Sequence, residues 1–228
     1  MPPLPEAIIP VLTPFAPLFS PRIWRHAQLL LLGAILTLGA RTVTAALRAT
    51  GLATARRFTN DHRVLNRATW SARQGRRRRL SLLVTLLVPP EATSVLGADD
   101  TVERRSGRRS NAKGGSRDAV RSSQSHVIRC FGLTWVSMMR WVAVPWRRRV
   151  WAVPFLTARC WPADKRGQRR HKTRVDWVRQ MRQHVRRWLP ERRLVLVVDG
   201  GFAAVSLALA GVKSRVAIVS RLRGEAAL

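Results

Sequence analysis

The chain has 228 residues, 42 of them basic and 12 acidic, for a formal net charge of +30, and 46% are hydrophobic. That length and apolar content suffice for a buried core and exclude a disordered tail. Lys113, Lys165, Lys172 and Lys213 are the only lysines, so 42 − 4 = 38 cations are arginine, whose planar fork suits phosphate; a polyanionic partner follows, nucleic acid first. A coding bias toward arginine would raise the cation count without explaining the scarcity of acids. Cys130 and Cys160 form neither a disulfide framework nor a metal-ligand set, which fits a reduced, cytoplasmic chain.

Prolines at 2, 3, 5, 10, 14, 17 and 21 make residues 1–22 an irregular lead-in. The apolar run "AQLLLLGAILTLGA" (27–40) is shorter than the roughly 20 residues that cross a bilayer, and it is expected to be a buried helix rather than a signal peptide. A helical pattern continues to about Leu87, with breaks expected near Gly39, Gly51 and "GRRRR" (75–79). The mixture in "RRFTNDHRVLNRATW" (56–70) suits a helix contacting DNA or an ordinary solvated face. "VPPEATS" (88–94) is a loop and marks a boundary between a helical N-terminal region, 1–90, with DNA contacts, and a second domain, 91–228.

Past that boundary, "TSVLGA" predicts a short strand ending at Asp99 and Asp100, and the stretch with Gly107, Gly114 and Gly115 reads as a turn or mobile loop. Residues 126–144 and 150–156 predict two strands around the turn "PWRRR". The clearest helix is 173–190, where Val175, Val178, Met181, Val185, Trp188 and Leu189 form an apolar stripe. Thr173 and Asp176 match a capping box there, and Pro190 a stop. "RLVLVV" (193–198) has the unbroken apolar pattern of a buried strand ending at Asp199; a helix over 200–212 and a strand over 214–220 follow.

If the strands ending at Asp100 and Asp199 are parallel neighbours, the two carboxylates share one crevice and repel unless a cation lies between them. Oxygen-only ligands favour Mg²⁺ or Mn²⁺. Aspartate equally caps helices and starts turns, and spacing alone leaves both readings open. The histidines at 26, 62, 126, 171 and 184 show no zinc-like spacing. Candidate phosphate contacts are Arg76, Arg77, Arg78 and Arg79; Arg104, Arg105, Arg108, Arg109 and Lys113; Arg147, Arg148 and Arg149; and Lys165, Arg166, Arg169, Arg170 and Lys172.

The words "GADDTVERRSGRR" and "LVVDGGFAA" resemble the acidic motifs of DDE transposases of bacterial insertion sequences. The likeness is closest to the insertion-sequence 701-like group of DDE superfamily endonucleases, and also covers "PLFSPRIWRHAQLLLLGAI", "FTNDHRVLNRATWSARQG", "RDAVRS" and "HVIRCFGLTWVSMM". It implies an α/β, RNase H-like mixed sheet with flanking helices after the helical region. It also implies Asp100 and Asp199 as catalytic, metal-binding acids, with Asp99 in reserve, and Mg²⁺ or Mn²⁺ as cofactor. The implied partner is DNA, at insertion-sequence ends and target, with the protein as a homo-oligomer or mixed oligomer. The family's third acid, usually a glutamate beyond the fifth strand, has no clear counterpart: Glu225 is the sole acid after Asp199, without room for a helix around it. The expectation is therefore a C-terminally truncated, impaired copy, or a non-catalytic DNA-binding remnant able to inhibit full-length transposase. Binding to anionic lipid is the third alternative.

Overall fold

The computed structural model describes residues 4–54, 58–107, 112–118, 121–123, 125–165 and 170–221. The chain divides into two compact units, Met1–Leu82 and Leu83–Leu228.

In the first unit the proline-rich lead-in is not irregular. It forms two 3₁₀ turns, Glu6–Ile8 and Thr13–Leu18, around α1 (Ile9–Leu12), because proline's fixed φ is tolerated in the first turn of a helix. The next helices are α2 (Pro21–Leu36), α3 (Val43–Ala49), α4 (Thr59–Asn66) and α5 (Ala72–Leu87), whose residues from 83 onward belong to the second unit. The apolar run buries only one side of α2: Leu29, Leu30 and Gly33 are covered, whereas Leu31, Ile35 and Leu36 are exposed. Among the described residues no helix is long and apolar enough to cross a membrane.

Leu30, Ala46 and Val64 form the centre of this unit, with Ile23, Ala27 and Val43 packed around it. The approach of α2 to α3 depends on Gly33, where a Cβ would lie 2.5 Å from the Ala46 carbonyl oxygen. Gly33→Val is accordingly expected to destabilise this unit by about 1–3 kcal/mol, read as a lower midpoint in urea. "GRRRR" does not interrupt the helix. It lies inside α5, which starts where Ser71 Oγ accepts from the Gln74 amide at 3.2 Å. Arginine has nearly alanine's helix propensity, which outweighs one glycine and the like charges.

The second unit holds β1 (Ser94–Arg104), β2 (Gly114–Arg117), β3 (Arg129–Ala143), β4 (Val150–Cys160), α6 (Arg174–Trp188), β5 (Leu194–Val198), α7 (Val205–Lys213) and β6 (Val216–Ser220). The sheet order is β2-β3-β1-β5-β6, with β4 also on β3; β1 is antiparallel to β3 and parallel to β5, and β5 is parallel to β6. The connectivity is RNase H-like.

Three expectations need correction. β1 does not stop at the aspartates but runs to Arg104, because β3 continues to pair with it as far as Gly132. The glycine-rich stretch contributes β2, antiparallel to the first residues of β3. The helix expected from residue 200 is split: Gly200–Phe202 is a 3₁₀ turn, Ala204 is extended, and α7 begins at Val205.

Alternation sorts the sheet into two unlike faces. Leu96, Ala98, Val136, Met138, Leu194, Leu196 and Val198 are buried on the face packed by α6, whose Val178, Met181 and Val185 are also buried. The other face carries Val95, Met139, Val195 and Val197, all half-buried, with Trp141 and Val219 exposed.

The predicted capping box of α6 is present. Thr173 Oγ1 accepts from the Asp176 amide at 3.2 Å, and Asp176 Oδ2 accepts from the Thr173 amide at 3.0 Å. The Thr173 hydroxyl, which also donates to Asp176, holds that carboxyl below its usual range, reinforced by the Thr173 amide. A depressed folded value contributes stability above the unfolded value of about 4 and loses it as pH falls through the folded one. Thr173→Ala is expected to cost about 1 kcal/mol. The Asp176→Asn variant should lose less stability than the parent between pH 5 and 2, as followed by thermal melts.

Candidate active site

The parallel register of β1 and β5 ends at Ala98 opposite Val198, so the next residues are Asp99 and Asp199. Paired positions on parallel strands point to the same face. Asp99 therefore lies on the half-covered face with Gly97; Asp199, just past the end of β5, is near enough for its charge to act on Asp99, and both residues are exposed. Trp141 fixes the phase of β1: a Cβ on Gly97 would meet its Nε1 at 2.5 Å, so the indole lies across this face just before the acids.

The Asp199 backbone is extended, with φ −75° and ψ 174°, and its Oδ1 accepts from the Gly201 amide at 3.0 Å. Ser220 Oγ donates to the Asp199 carbonyl at 3.0 Å, tying this turn to β6. The capping role open at the sequence level is thus present, and it engages one carboxylate oxygen.

Partial burial pushes the Asp99 carboxyl above its ordinary range, and the charges of Asp100 and Asp199 push the same way. The Asp100 amide, donating to Asp99 Oδ1 at 2.8 Å, partly opposes this.

Asp100, one residue on, points to the opposite face. Arg174 Nη1 donates to both of its oxygens at 2.9 Å. It lines a cavity of about 470 Å³ with Thr134, Cys160, His171, Lys172 and Arg174. Burial first, and then the Asp100 charge, lift the Cys160 thiol to about 11, partly opposed by Arg174, so the protonated thiol is favoured at neutral pH.

Asp99 and Asp100 thus project to opposite faces of β1, and the charges of both Asp100 and Asp199 reach Asp99. Two carboxylates on neighbouring strands, Asp99 within β1 and Asp199 just past β5, with oxygen donors alone, fit a hard divalent cation that relieves their repulsion. Among the described residues no group of three or more His, Cys, Asp or Glu side chains that could hold a metal occurs. Glu225 lies outside the described residues.

The candidate phosphate contacts separate into different environments. Arg147, Arg148 and Arg149 are exposed in the β3–β4 turn, and Arg170 is exposed before α6. Arg104 instead pairs with buried Asp118, and Arg105 with Glu103. Lys113 Nζ donates to the Ser106 and Gly107 carbonyls, each at 3.3 Å. Lys172 donates to Gln180 Oε1 at 2.7 Å and lies over the Trp177 ring. Within α5, Arg78 donates to the Pro14 carbonyl, Arg76 is half-buried, and Arg77 and Arg79 are exposed. Lys165 ends the 3₁₀ turn Ala163–Lys165; Arg108, Arg109, Arg166 and Arg169 fall outside the described residues.

Sequence reasoning missed Arg174 and Arg140. Thr173 as cap makes Arg174 the first helical residue, from which a side chain points back past the helix start. That signal was readable. Arg140, 4% exposed, donates to the Val95 and Trp141 carbonyls, the latter at 2.6 Å, and no pattern in an apolar strand announces it.

The family model described as DDE superfamily endonuclease matches residues 14–228. The chain belongs to that family. No curated protein matches it. As a DDE superfamily endonuclease it has the transposase or endonuclease class of function, with DNA as substrate, and its family generally uses divalent metal ions.

Proposed function

We propose that this DDE endonuclease performs divalent-metal-dependent cleavage and transfer of DNA strands as an insertion-sequence transposase, with Asp99 and Asp199 as its metal-binding acids. The observation that carries the reading is their position: equivalent residues past the end of the β1–β5 pairing. A bound Mg²⁺ or Mn²⁺ would supply Lewis-acid stabilisation of charge on the scissile phosphate and a more acidic water.

The chain's own residues supply the frame. The Gly201 amide and the tie from Ser220 hold Asp199 in place, and Arg174 holds Asp100 on the other face, where its charge is compensated. Arg147, Arg148 and Arg149 offer exposed cations for the DNA backbone. The resemblance implies a third acid beyond these two, so we propose slow cleavage by these residues alone. Element ends and target DNA would be the substrates, within a homo-oligomer or a mixed oligomer with full-length transposase.

The net charge of +30 favours a second reading, a non-catalytic DNA-binding remnant that inhibits full-length transposase. Incubating the purified chain with supercoiled plasmid in Mg²⁺, Mn²⁺ or EDTA separates the two. Metal-dependent nicking that disappears in Asp99→Asn and Asp199→Asn supports the enzyme. Binding that ignores metal, with no nicking in either ion, leaves the remnant. Nicking lost in Asp100→Asn but retained in Asp99→Asn would move the first acid to Asp100.

A further inference from the structure

We infer that the first unit carries a dedicated site for a DNA backbone phosphate, in the cleft between the start of α2 and the end of α4. The inference rests on DNA being the substrate and adds a site in the helical unit. The cleft encloses about 240 Å³, and Arg22, Arg63 and Arg67 converge on it together with His26 and Asn60. Arg22 and His26 lie in the first two turns of α2, Asn60 and Arg63 lie on α4, and Arg67 caps the C-terminus of α4.

The three guanidiniums have no ion pair with a carboxylate among the described residues. Arg63 and Arg67 are four residues apart, where like charges on a helix repel. Arg22 also sits at the positive end of the α2 dipole. An anion in the cleft offsets all three effects.

The nearest acid is committed elsewhere. Asp61 is 4% exposed, and its Oδ1 is bonded to His26 Nδ1 at 2.7 Å. The bond leaves Nε2 as the ring nitrogen open to a ligand and fixes the imidazole, a bridge that also joins α4 to α2.

No Phe, Tyr or Trp lines the cleft as a platform for a base. Bidentate guanidinium forks, an amide and an imidazole match phosphate oxygens instead. Contact there positions the duplex without reading its sequence.

The test uses the full chain and short duplexes of two unrelated sequences, with affinity followed by fluorescence anisotropy from 50 to 300 mM salt. The variant Arg22→Gln/Arg63→Gln/Arg67→Gln should bind both duplexes more weakly to the same extent. Its slope of log affinity against log salt should be shallower by about 1, since each phosphate neutralised contributes about 0.9. Unchanged circular dichroism separates this from unfolding, and the three side chains are exposed. Arg147→Gln/Arg148→Gln/Arg149→Gln serves as the comparison in the other unit. If the first variant keeps the parental slope while the second loses affinity, the cleft is no phosphate site and DNA binding stands. If the parent binds neither duplex, the functional reading falls and the site falls with it.

Discussion

Asparagine at position 99 or 199 is expected to weaken Mn²⁺ binding by roughly 30- to 700-fold, read by electron paramagnetic resonance titration. Asp100→Asn should leave it near the parental value. A carboxylate touching a dication in a water-like dielectric contributes about 2–4 kcal/mol, which sets that range. Asp100 is spared because it projects to the other face and its charge is already met by Arg174. Equal losses at 99 and 100 would show that β1 does not hold this phase in solution. In metal-free protein the Asp99 change has an opposite effect on stability. A folded proton affinity raised by burial and by two neighbouring carboxylates favours folding at pH below the unfolded value, and that advantage disappears as pH rises through the folded one. Neutral asparagine has no ionised form to disfavour, so Asp99→Asn should melt higher than the parent at neutral pH without metal. A binding acid that costs stability is the pattern expected of a functional site.

Leu196→Ala should destabilise the second unit by about 3 kcal/mol, within the 2–5 kcal/mol usual for a buried leucine, as measured by urea denaturation. Leu196 is 0% exposed in β5, paired with Leu96 on one side and Ile218 on the other. The neighbouring Val197→Ala should cost about 1 kcal/mol, because Val197 faces the half-covered side and is already partly in water. The contrast is sharper than either value. Equal costs at the two positions would mean that something covers the Asp99–Asp199 face as thoroughly as α6 and α7 cover the other.

Much of the second unit was legible because its signals were local. The α6 capping box needs only Thr173 and Asp176 three residues apart, and the unbroken apolar run at Leu194–Val198 marks a central strand. Asp99, Asp100 and Asp199 stand out as exceptions in an acid-poor chain, but which of Asp99 and Asp100 would share a face with Asp199 is not legible from sequence, since consecutive strand residues face opposite ways and one residue of phase decides everything. That phase comes from the pairing of Asp99 with Ser137 and from Trp141 across Gly97, contacts spanning about 40 residues. β2 escaped for a similar reason: "GGSR" has no strand propensity and is extended only because the start of β3 offers it a ladder. The pairs of Arg104 with Asp118 and Arg105 with Glu103 also depend on the fold, and they alter which cations face solvent uncompensated.

The parallel pairing of β1 with β5 has a consequence during synthesis. Ala98 and Val198 are partners although 198 − 98 = 100 residues separate them. At 5–20 residues per second, a ribosome takes roughly 5–20 s to deliver β5 after β1 has emerged. β3 arrives sooner and covers one edge of β1, but its other edge waits with unpaired amides and carbonyls. That interval is a window for association between nascent chains, and a chaperone that shields the edge, or slower initiation, should raise the yield of folded protein more than lower temperature alone.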